Sequence, residues 1–154
     1  MISRWKYTAA AAAALLCVTL TPTAANADDY RYDGEWPDQA GCTNIRTLRE
    51  RTLLTPAGSG QIGRLVARVQ LRYSATCRTV WARVLYYGNE APPWGRVERV
   101  NDGKAYLCDH TGWSDDLGAY YCLSPMLNDA NMRSWVWGEA IMDRKRYSGQ
   151  TEAA

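Results

Sequence analysis

The chain has 154 residues, 47% of them hydrophobic, with 18 Lys plus Arg against 16 Asp plus Glu. That length suits one domain, and an ordinary apolar share excludes disorder as the main state. The formal charge of +2 belongs to Arg4 and Lys6, so that from Asp28 onward 16 basic residues face 16 acidic ones.

Residues 1–27 read as a secretory signal peptide. Arg4 and Lys6 form its charged start, Ala9 to Leu20 its apolar stretch, and Ala25-Asn26-Ala27 a small-x-small cleavage site. A 12-residue stretch rises only about 18 Å as a helix, short of the roughly 20 residues that span a bilayer. Leu16 before Cys17 does not fit a lipobox. The expectation is general secretion with cleavage after Ala27, an extracellular product and no stable membrane insertion. Removing the leader leaves Cys42, Cys77, Cys108 and Cys122, an even count that reads as two disulfides in an exported chain. Of the three connectivities, Cys42–Cys77 with Cys108–Cys122 closes the most local loops. No two of the four lie at zinc-site spacing, and neither metal nor cofactor is expected.

Asp28 to Asp38 is an acidic, aromatic arm. Thr43 to Leu54 carries too much Thr for a helix, with room for one turn, and Thr55 to Gly60 is a loop. From Arg64 the pattern sharpens. Leu65, Ala67, Val69, Leu71 and Tyr73 alternate with mostly polar residues, the period of a half-buried strand. Ser74 to Cys77 turns the chain. Val80, Ala82, Val84 and Tyr86 then face one way, Thr79, Trp81 and Arg83 the other. Asp102-Gly103 between Arg96–Val100 and Ala105–Cys108 predicts a two-residue hairpin. Tyr120–Leu123 and Ser134–Trp137 are short aromatic strands, and the polar end 148–154 is expected to fray. The result is a single all-β domain over 28–147, a small antiparallel barrel or sandwich stapled by two disulfides.

Leu71-Arg72-Tyr73-Ser74, Cys77 and Val80-Trp81-Ala82-Arg83-Val84 make the central block similar to that of the YjfA-like family of small secreted bacterial proteins, a domain of unknown function. Asp38, Gly41-Cys42 and Ser124-Pro125-Met126 resemble its flanking landmarks. The resemblance covers about Gly34 to Ser148, and only the central block is specific. Trp135 to Trp137 and Arg144 to Arg146 have no counterpart in it. It implies a secreted β domain with Cys42 joined to Cys77, and it transfers no catalytic residue.

Candidate chemistry is sparse. His110 is the single histidine, so a Ser-His-Asp or Cys-His device must be built on it; no Gly-x-Ser-x-Gly elbow is present. Glu35, Glu90, Glu98 and Glu139 are scattered, and ion pairing with arginine accounts for them better than a glycosidase pair. Asp109, Asp115 and Asp116 lack calcium-loop spacing. Charge is the informative feature. From Arg46 to Lys104, 11 basic residues stand against 4 acidic ones, flanked by segments of −4 and −3. Arg68, Arg72, Trp81 and Arg83 share one face of the predicted strand pair, and guanidinium suits carboxylate, phosphate and indole alike. Trp94, beside Pro92-Pro93, is the best candidate for an exposed loop aromatic. The expectation is a non-catalytic domain binding an anionic envelope polymer or an acidic protein surface. The competing account has Asp28 to Asp38 covering the arginines. Nucleic acid does not fit an exported chain of net zero charge. Alternatives are an inhibitor of an extracellular hydrolase presenting the Cys108–Cys122 loop, or a small hydrolase using His110.

Overall fold

The alternation on either side of the turn at Ser74 becomes two long paired strands at the centre of the molecule. The computed structural model describes residues 30–59 and 62–154, so the expected leader, residues 1–27, and Asp28 and Asp29 lie outside the described residues. Among the described residues, ten strands follow in chain order. They are β1 (Ile45–Leu54), β2 (Leu65–Ser74), β3 (Thr79–Tyr86), β4 (Trp94–Arg99), β5 (Ala105–Leu107), β6 (His110–Ser114), β7 (Ala119–Leu123), β8 (Leu127–Asn128), β9 (Ser134–Met142) and β10 (Lys145–Gln150).

They form two antiparallel sheets. One runs β1-β2-β3-β7-β6, with β8 also paired to β3; the other runs β10-β9-β4-β5. The sheets stack as a sandwich and do not close into a barrel. Val69, Leu71, Val80, Ala82, Val84 and Tyr86 supply the first sheet's inner face, and Val97 and Val136 the second's; all six, and both of those, are fully buried. The sheets approach closely at Gly95 and Gly138, cross-strand partners on β4 and β9. A Cβ at Gly138 would lie 2.6 Å from a Val69 methyl, and one at Gly95 2.7 Å from a Val84 methyl. Larger residues there would wedge the sheets apart.

Both disulfides join the expected partners, Cys42 to Cys77 and Cys108 to Cys122. Among the described residues no helix is long and apolar enough to cross a membrane.

Three local expectations are corrected. The Thr-rich segment is the ten-residue strand β1, not a helical turn; its alternation is broken by register shifts at Thr47/Arg49 and Leu53/Leu54. Asp102-Gly103 lies in a wider loop, Val100 to Lys104, where Gly103 takes a φ of +69° while Asp102 is held by Arg99. The two-residue hairpin is instead Asp143-Arg144, with φ of 54° and 59°, and Glu90 accepts from both of its amides. The end is not frayed. β10 takes in Ser148 to Gln150, Thr151 N–H donates to the Val136 carbonyl at 2.9 Å, and Ser134 and Ala154 exchange both backbone hydrogen bonds.

Candidate functional site

The site is built by the N-terminal arm, Tyr30 to Asn44, lying across the outer face of the first sheet. Two anchors hold the arm. The first is apolar: Cys42, Cys77, Trp81 and Met126 form a second small core, packed by Tyr32, Ala40 and Leu123.

The second anchor is ionic. Arg99 on β4 is fully buried, with its side chain 1% exposed. It donates to Asp33 at 3.1 Å, to Asp102 at 2.6 Å and to the Asn128 carbonyl. The Asp33 carboxylate also accepts from Lys104 at 3.0 Å and from the Asn128 amide. The Asp102 hydrogen bond, foremost, raises the Arg99 pKa, and the same contact holds Asp102 down at about 2. Asp33 therefore serves Arg99, not the arginines of β2 and β3.

Nearby Asp129 behaves in the opposite sense. Burial pushes its carboxyl up to about 6, against the opposing pull of Ser134 and Arg99. A raised carboxyl pKa means the folded state binds more protons than the unfolded one, so this contribution to stability falls as pH rises from about 4 to about 6. Asp129→Asn keeps the Ser134 contact and should raise stability at pH 7 by about 1 kcal/mol, after allowance for solvent screening, with the gain fading by about pH 3. Paired thermal melts at the two pH values check it.

Between the arm and the sheet lies a cleft of about 520 Å³. One row of cross-strand neighbours, Glu50, Gln70, Arg83, Leu123 and His110 on β1, β2, β3, β7 and β6, runs across this face, and its last three members line the cleft. Because side chains alternate across a strand, this row faces away from the valine core. Arg72 and Trp81 make the adjacent row. Trp36 and Asp38 of the arm stand on the opposite wall. The His110 ring lies between Trp36, 5.5 Å away, and Tyr121, 6.1 Å away. Tyr121 leans over Gly112, where a Cβ would come within 2.6 Å of its hydroxyl.

The two arginines are held by neutral groups. Arg83 Nε donates to Gln70 Oε1 at 2.7 Å, and Gln70 Nε2 donates to Glu50 at 2.6 Å. Arg72 Nη1 donates to Thr47 Oγ1 at 2.5 Å. Among the described residues neither has a carboxylate within ion-pair distance. Burial drives the Arg83 pKa down to about 10; the Arg72 charge adds to this, while Tyr87 and Glu50 oppose it. Burial lowers Arg72 as well. Two oriented, partly desolvated guanidiniums thus lie beside indole, imidazole and phenol rings, a set of groups whose chemistry complements negative charge and apolar surface together.

The residues singled out in the sequence divide. Arg72, Trp81 and Arg83 come together here. Trp81, however, is 3% exposed and forms floor, not surface. Arg68 lies two residues from Gln70 on the same face of β2, outside the cleft lining, and faces Glu50 at 3.8 Å. Trp94 is exposed but opens β4 instead of lying in a loop. It meets Trp137 edge-on at 5.1 Å on the outer face of the second sheet, on the far side of the sandwich. Sequence reasoning missed Trp36, His110 and Tyr121 as cleft residues. Only the β6–β7 pairing brings the latter two into line. Among the described residues, His110 makes no hydrogen bond to a serine, threonine or carboxylate, and no metal-binding cluster of His, Cys, Asp and Glu is present. The Cys108–Cys122 loop is itself the β6–β7 ladder, closed at its tip by Gly118 N–H donating to the Asp115 carbonyl at 3.2 Å.

These features define a disulfide-stapled, two-sheet antiparallel β domain, and its two disulfides belong to an oxidising environment. The chain is a member of the family described as protein of unknown function (DUF2690), whose profile matches residues 30–136 and so includes the arm. It is 32% identical over 123 residues to the uncharacterized protein YjfA of Bacillus subtilis (strain 168), covering 75% of this chain and 74% of that one. No solved structure matches it significantly.

Proposed function

We propose that the protein is exported through general secretion, cleaved after Ala27, and works outside the cell as a non-catalytic domain. Its cleft binds an anionic partner, a charged polymer of the cell envelope or an acidic protein surface. One observation carries this reading: Arg72 and Arg83 are partly desolvated, oriented by Thr47 and Gln70, and lack a carboxylate partner among the described residues. Desolvating a cation without a counter-charge costs folding free energy, and such a cost persists where a ligand supplies the charge. Arg68 extends the basic rim along β2, and Trp94 is a separate contact surface.

The test is a pull-down on immobilised envelope polyanions. Arg72→Gln/Arg83→Gln should weaken retention at least about tenfold, with a melting temperature unchanged or raised. Retention by wild type should also weaken with added salt. Retention by the variant equal to wild type removes the cleft from the binding account. A collapsed melt shows instead that the arginines serve the fold.

A further inference from the structure

The β6–β7 hairpin shows its outward side chains, His110 and Tyr121, to the cleft. Its alternate residues, Trp113 and Tyr120, point to the other face and are not covered by the second sheet. Trp113 is 50% exposed and Tyr120 37%. Their rings meet edge to face at 4.9 Å. Trp113 Nε1 donates to Asp115 at 2.8 Å, which fixes the indole while about half of its surface stays exposed.

Opposite them a second groove, of about 540 Å³, is closed by the Tyr87–Glu90 loop and the Asp143-Arg144 turn. That wall is pinned in place. Glu90 accepts from the Asp143 and Arg144 amides, and the buried Tyr86 hydroxyl donates to the Ile141 carbonyl while accepting from the Glu90 amide. Arg64 and Asp143 pair with each other at the rim, and Asn89 stands exposed beside them. The Arg64 and Asp143 charges cancel each other, and the Glu90 carboxylate is engaged by the two turn amides, in contrast to the arginine cleft. What remains is a fixed indole, a phenol, an amide and an internally neutralised ion pair.

The geometry points to this groove as a second binding site, for a neutral saccharide. A pyranose ring offers an apolar C–H face that fits an indole and a rim of hydroxyls that fits amide, guanidinium and carboxylate groups. A peptide lying in the groove would meet few aliphatic pockets, and among the described residues that line it the one cation, Arg64, is already paired with Asp143. The site is separate from the cleft, since its aromatic pair is on the reverse face of the hairpin and the two share no lining residue.

The test is an NMR titration of the purified protein with soluble neutral oligosaccharides, a β-1,4-glucan tetramer and an N-acetylglucosamine tetramer, following the indole N–H signals. Saturable shifts at Trp113, with Trp81 unmoved, are expected with at least one of them. Trp113→Ala should weaken that binding at least about tenfold without moving the melting temperature. Arg72→Gln/Arg83→Gln should leave it unchanged, which separates this site from the cleft. Because Trp113 is exposed, Tyr120→Ala serves as a second variant with the same expected loss. The absence of shifts with both sugars at millimolar concentration, shifts confined to other tryptophans, or full binding by both variants would overturn the assignment.

Discussion

Asp33→Ala is expected to destabilise the domain by about 3 kcal/mol, the scale of stripping one partner from a buried ion pair. Asp33 is nearly as buried as Arg99, with side chains 3% and 1% exposed, and it also receives Lys104 and the Asn128 amide. Without it Arg99 keeps Asp102, whose side chain is 46% exposed, so the loss stays at the lower end of the range. The arm should loosen first, because Asp33 is its ionic tie to β4 and β8. Denaturant melts give the free energy, and amide exchange over Tyr30 to Ala40 gives the location. A cost below about 1 kcal/mol would mean the carboxylate is not needed to offset the buried guanidinium. Arg99→Met on top of Asp33→Ala should recover part of the loss, since it removes the orphaned charge. Asp102 adds an acid limit: its pKa is depressed from 3.8 to about 2, so its contribution is present above about pH 4 and disappears as pH falls through 2.

Replacing Cys42 and Cys77 together by serine should cost about 3–4 kcal/mol by the loop-entropy relation for a link spanning 35 residues. The functional effect should be larger than for the other bridge. Cys42–Cys77 fastens the arm to the β2–β3 turn, and Trp36 and Asp38 form the cleft wall only while the arm is down. Cys108–Cys122 instead lies in the inter-sheet core, where Cys122 is fully buried. Loss of the first bridge should abolish polyanion retention even below the melting temperature. A Cys42→Ser/Cys77→Ser protein that still binds as wild type, with the arm protected from exchange, would contradict this role for the arm.

How far the sequence discloses the structure depends on how far each feature is local. β2 and β3 are visible because the first sheet buries one face against valines and leaves the other polar. Their face assignment carries straight through to Arg72 and Arg83. β1 is hidden because two bulges shift its register, so no single period survives over its ten residues. β10 is hidden because Lys145 to Gln150 is an exposed edge with almost no apolar signal. The turns mislead in complementary ways. Asp102-Gly103 has hairpin chemistry, yet its aspartate is drawn to Arg99. Asp143-Arg144 lacks that chemistry and is held by Glu90, 53 residues away for the first amide. The site was legible in its arginines and not in its walls. Trp36 and His110 meet only because the arm folds over a sheet whose edge strand is β6. The charge blocks pose the question of cover, and the fold answers that Asp33 is spent on Arg99 while Asp38 stands at the cleft.

The most direct measurement is an NMR titration of the wild-type protein with a soluble envelope polyanion, following the arginine Nε–Hε signals. The binding account predicts saturable shifts at Arg83 and Arg72, accompanied by the His110 ring signals and weakened by salt. Shifts confined to the surface arginines Arg144 and Arg146, or none at Arg72 and Arg83, would contradict it.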